Sequence, residues 1–183
     1  HPYSQCWALS WAAALYQLRG EAERCQACAE AALTIATEQV IPFFGAHGTV
    51  LSGWALAKQG RTEEGFAGLR SGIDAYRGIG AKIEVIHWLS LLVETCRETG
   101  RIEQGLSTLR EALTETEETG IRCFEPDLHR LEGELRRRLD DQQSEACFHR
   151  AIEIARAQDA RSFELRAALG LARLWRDQGK RDK

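Results

Sequence analysis

Apolar positions recur at helical spacing along nearly the whole chain, and the breaks between the runs fall at regular intervals. Residues 3–18 place Trp7, Trp11 and Leu15 at helical spacing, and Gly20 ends the run. Residues 22–38, rich in alanine, form a second helix. Pro42 then interrupts, so IPFFG at 41–45 reads as a connection. Further helices are predicted over about 46–59 and 62–78, 82–98 and 102–118, and 123–139 and 142–158. A ninth, without a partner, covers 161–177 and ends at Gly179. Thr62 stands where a capping hydroxyl is wanted, with Glu63 and Glu64 in the first turn, where the helix dipole favours acids. Asp140 falls where the spacing puts a turn, and Asp141 is placed to cap the helix after it.

The pattern has a period. Residues 53–80, GWALAKQGRTEEGFAGLRSGIDAYRGIG, return in degenerate form at 93–120 as VETCRETGRIEQGLSTLREALTETEETG. Gly20, Gly60 and Gly100 are 40 residues apart, and so are Gly80 and Gly120. A fixed period of this size marks an array of helical repeats, here about 3–40, 43–80, 82–120 and 122–159, followed by the final helix at 161–178. Small residues hold their places relative to the turns. Cys25, Gly65 and Gly105 come five residues after one, Ala32, Gly72 and Ala112 come twelve after, and Ala13 and Gly53 come seven before. Gly133, Ser144 and Ala151 take these places in the fourth unit. Small side chains at a crossing let two helices approach to about 8 Å. Leu69, Leu109 and Phe148 share one large position that fills the layer between them.

This order of small, aromatic and large positions, with Tyr16 as an aromatic, resembles the tetratricopeptide pattern over essentially the whole chain. The period of 40 departs from the usual value of about 34 and keeps a HEAT-like repeat as the alternative. GWALAKQGRTEEG, LHRLEGEL and RSFELRAALGLARLWRDQG are similar to the C-terminal repeat region of large bacterial signalling proteins. In that family a class III nucleotide cyclase or DNA-binding domain, and a P-loop ATPase domain, precede long-period tetratricopeptide repeats. The resemblance implies a single all-α domain, a right-handed α-solenoid superhelix of antiparallel helix pairs with about nine helices. It does not reach the output domains. The chain has no GxxxxGK[ST] loop and no paired metal-binding aspartates in a cyclase-like setting.

Charge and composition narrow the function classes. The net charge of −3 gives no basis for general nucleic-acid binding, and the mildly basic last third interleaves both signs. Arg136, Arg137 and Arg138 end a predicted helix, where cations favour the dipole. No apolar run approaches the ~18 residues that span a bilayer. The chain lacks methionine and begins His-Pro, which reads as a segment of a longer protein. Its six cysteines are expected to be reduced and buried, in a cytoplasmic setting. Cys25 and Cys28 share a helix face, but no second ligand pair is fixed near them for zinc, and no strand precedes them as in a redox motif. They read as packing. The acid pairs Glu63-Glu64, Glu117-Glu118 and Asp140-Asp141 lie near helix ends and suit capping rather than proton transfer. No enzyme, metal or cofactor is expected.

In a tetratricopeptide superhelix the first helix of each pair lines the concave groove. Transferred here, that places Trp7, Ser10 and Gln17, then His47 and Trp54, then His87, Ser90, Glu94 and Arg97 on the groove. Asp127, Arg130, Glu134 and Arg137 follow, and Arg166 and Arg173 complete the set. One end is aromatic and uncharged and the other charged, which suits an extended or helical peptide. Three points stay open. His47 and His87 form a ligand-facing row or are polar residues at helix starts; Trp54 lines the groove or packs between pairs; Arg130 and Glu134 face a ligand or each other. The expected function is a non-catalytic protein-interaction and regulatory module of a bacterial signalling or transcription-control protein. Its partner is a protein or peptide segment, including other domains of its own parent chain, with no nucleic acid and no membrane. The alternatives are a small-molecule sensor with a closed apolar pocket at Trp7, Trp11 and Trp54, and a homodimer formed through the last helix.

Overall fold

The computed structural model describes residues 1–139 and 142–180, so the turn and cap readings at Asp140 and Asp141 lie outside the described residues. Those residues form nine α-helices and no strand. They are α1 (Pro2–Leu18), α2 (Ala22–Glu38), α3 (Pro42–Lys58), α4 (Thr62–Gly78), α5 (Val85–Glu98), α6 (Ile102–Thr119), α7 (Glu125–Arg137), α8 (Gln143–Ala157) and α9 (Arg161–Asp177). The chain divides into two compact units, His1–Thr95 and Cys96–Lys183, with the boundary inside α5. In the first unit α1 packs on α2, α2 on α3 and α3 on α4, and α1 also reaches α3. The second repeats the scheme: α6 packs on α7, α7 on α8 and α8 on α9, with α7 also reaching α9. Among the described residues no helix is long and apolar enough to cross a membrane.

The helices end in one repeated device. At the end of α1, the Gly20 N–H donates to the Gln17 carbonyl (3.0 Å) and the Glu21 N–H to the Tyr16 carbonyl (2.9 Å). This pair of bonds is a Schellman motif, which needs a left-handed residue just past the helix. It recurs at Gly60-Arg61, Gly80-Ala81, Gly100-Arg101 and Gly179-Lys180. The sequence also predicts a helix end near residue 40, but no glycine stands there. In the structure Val40 itself takes the left-handed conformation, at φ +53°, and Ile41 N–H donates to the Ala36 carbonyl (2.8 Å). Asp159 does the same after α8, at φ +51°. A β-branched residue carries no sequence signal for this conformation, which is why the shorter beat of about 20 residues stays hidden.

Several helix ends differ from the sequence reading. Pro42 does not interrupt: it opens α3, because proline fits the first turn, where its missing N–H has no partner to lose. IPFFG is therefore helix rather than connection, and Phe44 is buried in the core with Cys6 and Ala36. Thr62 is the first residue of α4, Arg61 holds the cap position, and no side chain makes a capping bond there. Glu63 and Glu64 do lie in the first turn of α4. Helix α5 starts at Val85, after a turn at Ile83 and Glu84, and α7 is trimmed at both ends.

The small positions explain the close packing. Ala13, Cys25, Ala32, Gly53, Gly65, Gly72, Gly105, Ala112, Gly133, Ser144 and Ala151 are all buried, and so are Leu69, Leu109 and Phe148. At the α3–α4 crossing a Cβ on Gly53 would lie 2.5 Å from the Leu69 nitrogen, and one on Gly65 would lie 2.5 Å from the Ala57 nitrogen. In the second unit Gly133 and Gly170 sit against the Phe148 ring, with built Cβ distances of 3.0 and 2.5 Å. A side chain on Gly53 or Gly65 would drive the two backbones apart.

Candidate functional site

In the first unit, α1, α3 and α5 bring their polar and aromatic residues together. His47, in the second turn of α3, is 1% exposed. Its ring lies 5.9 Å from Trp11, 5.3 Å from Trp88 and 6.4 Å from Phe43. The His47 Nε2 is 3.4 Å from Glu84 Oε1, and the Tyr76 hydroxyl donates to Glu84 Oε2 at 3.1 Å. Burial works against ionisation of Glu84. The hydrogen bond and charge of His47, with the Tyr76 hydroxyl, outweigh it and hold the carboxyl below the usual glutamate range. Burial and the Glu84 charge push the Tyr76 hydroxyl upward. His87, the repeat equivalent of His47, meets Gln17 across 3.2 Å between Nε2 and Oε1. The two histidines thus share one face but differ in role: His47 ties α3 to the turn before α5, and His87 ties α5 to α1.

The remaining first-unit positions divide by exposure. Ser10 and Ser90 are buried, and Ser90 donates to the His87 carbonyl at 2.6 Å. Trp54 is 2% exposed, so the structure places it in the core rather than on a surface. Glu94 is half-buried on α5. Trp7 and Trp11 stay 51% and 45% exposed, with ring centroids 5.7 Å apart. Tyr3, Leu15 and Leu18 extend this apolar surface along α1, a helix without a single charged side chain. Glu84, Tyr76 and Trp88 were not singled out by sequence. Position alone gave no signal for Glu84, because it sits in a turn outside the repeated helical register.

In the second unit the charged residues form one connected network. Arg130, buried on α7, donates through Nε to Asp127 Oδ1 and through a terminal nitrogen to Glu134 Oε1, both at 2.7 Å. Arg97, in the last turn of α5, reaches Glu134 Oε2 at 2.7 Å, and Arg166 on α9 reaches Asp127 Oδ1 at 3.5 Å. Each carboxylate therefore lies between two guanidinium groups. Three helices are tied through α7, and neither acid is placed to act as a general base. Arg137 extends the contact to Asp177 of α9 at 3.5 Å. Arg173 is exposed on α9. Beside the network, the hydrogen bond from His129 holds Glu132 below the usual carboxylate range, against burial and with help from Arg136.

Cys25 is buried, and burial with the nearby Cys28 pushes its thiol up to about 12, the reverse of an activated nucleophile. Its sulfur contacts the Leu51 carbonyl at 3.6 Å. Among the described residues, no three His, Cys, Asp or Glu side chains converge as metal ligands. One open cleft is lined by Glu21, Arg24, Lys58 and Gln59, and another by His149, Arg150, Glu153 and Arg156. Neither takes in Trp7, Trp11 or Trp54.

No protein-family model matches the chain. It is 26% identical over 169 residues, 91% of its length, to an uncharacterised protein of Rhizobium meliloti (strain 1021). The aligned stretch is 16% of that protein, so the chain spans about a sixth of the length of the curated relative it matches.

Proposed function

We propose that this chain is a non-catalytic interaction and regulatory module that binds a segment of a partner protein along the face made by the first helices of its pairs. The observation that carries this reading is the exposed Trp7–Trp11 pair on the uncharged helix α1. Large aromatics left half-exposed and adjacent are the side chains that dominate binding energy at protein interfaces. The buried small residues at the crossings and the repeated Schellman turns support helix pairs of tetratricopeptide type stacked in a right-handed superhelix. The resemblance to the repeat regions of bacterial signalling proteins supports a regulatory role, and six cysteines without a disulfide among them suit a reducing cytoplasm.

Peptide display on the folded chain tests the reading. Selected sequences should bind at least about tenfold more weakly to the Trp7→Ala/Trp11→Ala variant, in line with truncation of an interface anchor. A selection that yields no sequence weakened by this double substitution would remove the reading.

A further inference from the structure

Resting on the interaction-module reading, we infer that the second unit presents a surface for an acidic segment, one that carries two carboxylates flanking an aliphatic side chain.

The inference follows from how the charges of α7 and α9 are consumed. Asp127 and Glu134 are buried, and each is already shared between two arginines. Arg97 also reaches Glu98 at 3.2 Å, so the network of Arg97, Arg130 and Arg166 with Glu98, Asp127 and Glu134 holds three cations and three anions. Asp127 and Glu134 lie inside, so what the network shows on the surface of α9 is the guanidinium of Arg166. Arg166 is the open end: its side chain is 46% exposed and makes only the long 3.5 Å contact to Asp127. Arg173 stands seven residues further along the same helix and has no ion pair among the described residues. Seven residues are close to two helical turns, so these arginines share one face about 10.5 Å apart. Leu169 lies between them and is 47% exposed. The nearest open acid on this face is Asp177, which is engaged by Arg137 at 3.5 Å and by Arg176 at 3.1 Å.

The face thus reads cation, aliphatic, cation, and the complement is acid, aliphatic, acid. A helical segment with carboxylates seven positions apart and a leucine between them repeats the same spacing. Arginine suits this task because its planar fork takes a carboxylate through two parallel bonds. A nucleic acid fits less well, because single strands want exposed stacking aromatics beside the cations. Here Trp175 is half-buried and donates to Glu145 at 2.9 Å, while Phe163 packs on Phe124.

The test measures binding of labelled synthetic helical peptides to the full chain by fluorescence anisotropy. One peptide carries two glutamates seven positions apart with a leucine between, a second has both glutamates replaced by glutamine, and a third has both replaced by lysine. The glutamate peptide should bind on the order of tenfold more tightly than the glutamine peptide, and added salt should erode the difference. Arg166→Glu/Arg173→Glu should lose the glutamate peptide and gain the lysine peptide. Arg173→Glu alone, at an exposed site, should show the same direction with the Asp127 contact intact. Equal binding of the glutamate and glutamine peptides, or binding indifferent to both variants, would overturn the inference. So would a single-stranded RNA that binds more tightly with the same arginine dependence. If these arms fail while displayed peptides still depend on Trp7 and Trp11, the interaction-module reading survives and only the acidic partner falls.

Discussion

Replacing Gly53 with alanine sets two physical effects against each other. Helix propensity alone favours the change, because alanine in a helix interior is better than glycine by about 1 kcal/mol. The α3–α4 crossing opposes it. The new Cβ would lie 2.5 Å from the Leu69 nitrogen, 2.8 Å from the Gly68 carbonyl carbon and 2.9 Å from the Gly65 oxygen. All three are backbone atoms, so no side-chain rotation relieves the overlap. Ordinary contact begins near 3.4 Å, so the helices must part by about 0.9 Å. Overpacking of this kind costs about 1–3 kcal/mol, and more where only backbone can move. The net expectation is a loss of about 2 kcal/mol, or a fall of roughly 4–8 °C in melting temperature for a chain of this length. Gly45 is the control in the same helix. A Cβ there meets nothing within 4 Å, so Gly45→Ala should gain about 0.5–1 kcal/mol. Thermal and urea unfolding followed by far-UV circular dichroism measures both. A Gly53→Ala protein as stable as the parent, or more so, would refute the crossing. Equal effects at the two glycines would show that propensity alone decides.

Three further outcomes follow from named contacts. Val40 holds a left-handed conformation that costs a β-branched residue about 1–2 kcal/mol. It is 81% exposed, so Val40→Gly removes that strain without opening a core, and the urea midpoint should rise by the equivalent of about 0.5–1 kcal/mol after the entropy cost of glycine. Glu84 has its folded pKa depressed, so its contribution to stability is present above the unfolded glutamate value of about 4.3 and is lost as pH falls through the lower folded value. Glu84→Gln should flatten this acid limb in denaturation midpoints measured across that range; an unchanged acid limb would remove the His47–Glu84 tie. Arg130→Met leaves Glu134 with Arg97 alone and Asp127 with only the 3.5 Å contact to Arg166, and should cost about 1–3 kcal/mol by chemical denaturation. A cost no larger than that of an exposed arginine would show that the network carries no structural weight.

Much of the fold was legible because helix periodicity and turn glycines are local properties. The ninth helix matches its predicted range, and α2 and α4 do as well. The small positions read from the repeat are buried throughout, since one spacing places each of them at a crossing. The local signals failed where backbone chemistry was ambiguous: Pro42 is as compatible with a helix start as with a break, and Val40 gives no sign of a left-handed residue.

The candidate site was legible only as a list of positions. Sequence placed Arg97, Asp127, Arg130, Glu134 and Arg166 on related helix faces, because equivalent offsets in a periodic chain face the same way. That Glu134 lies between Arg97 and Arg130, and Asp127 between Arg130 and Arg166, depends on which helices touch and at what register. Likewise the period related His47 to His87, but only tertiary packing gave the first Glu84 and Tyr76 as partners and the second Gln17. Exposure was decided at the same level. Trp7, Trp11 and Trp54 are alike as residues, yet Trp54 is enclosed while the tryptophans of α1 face solvent. A residue's helix face follows from its spacing along its own segment, whereas the atoms that cover that face come from segments far away in the chain.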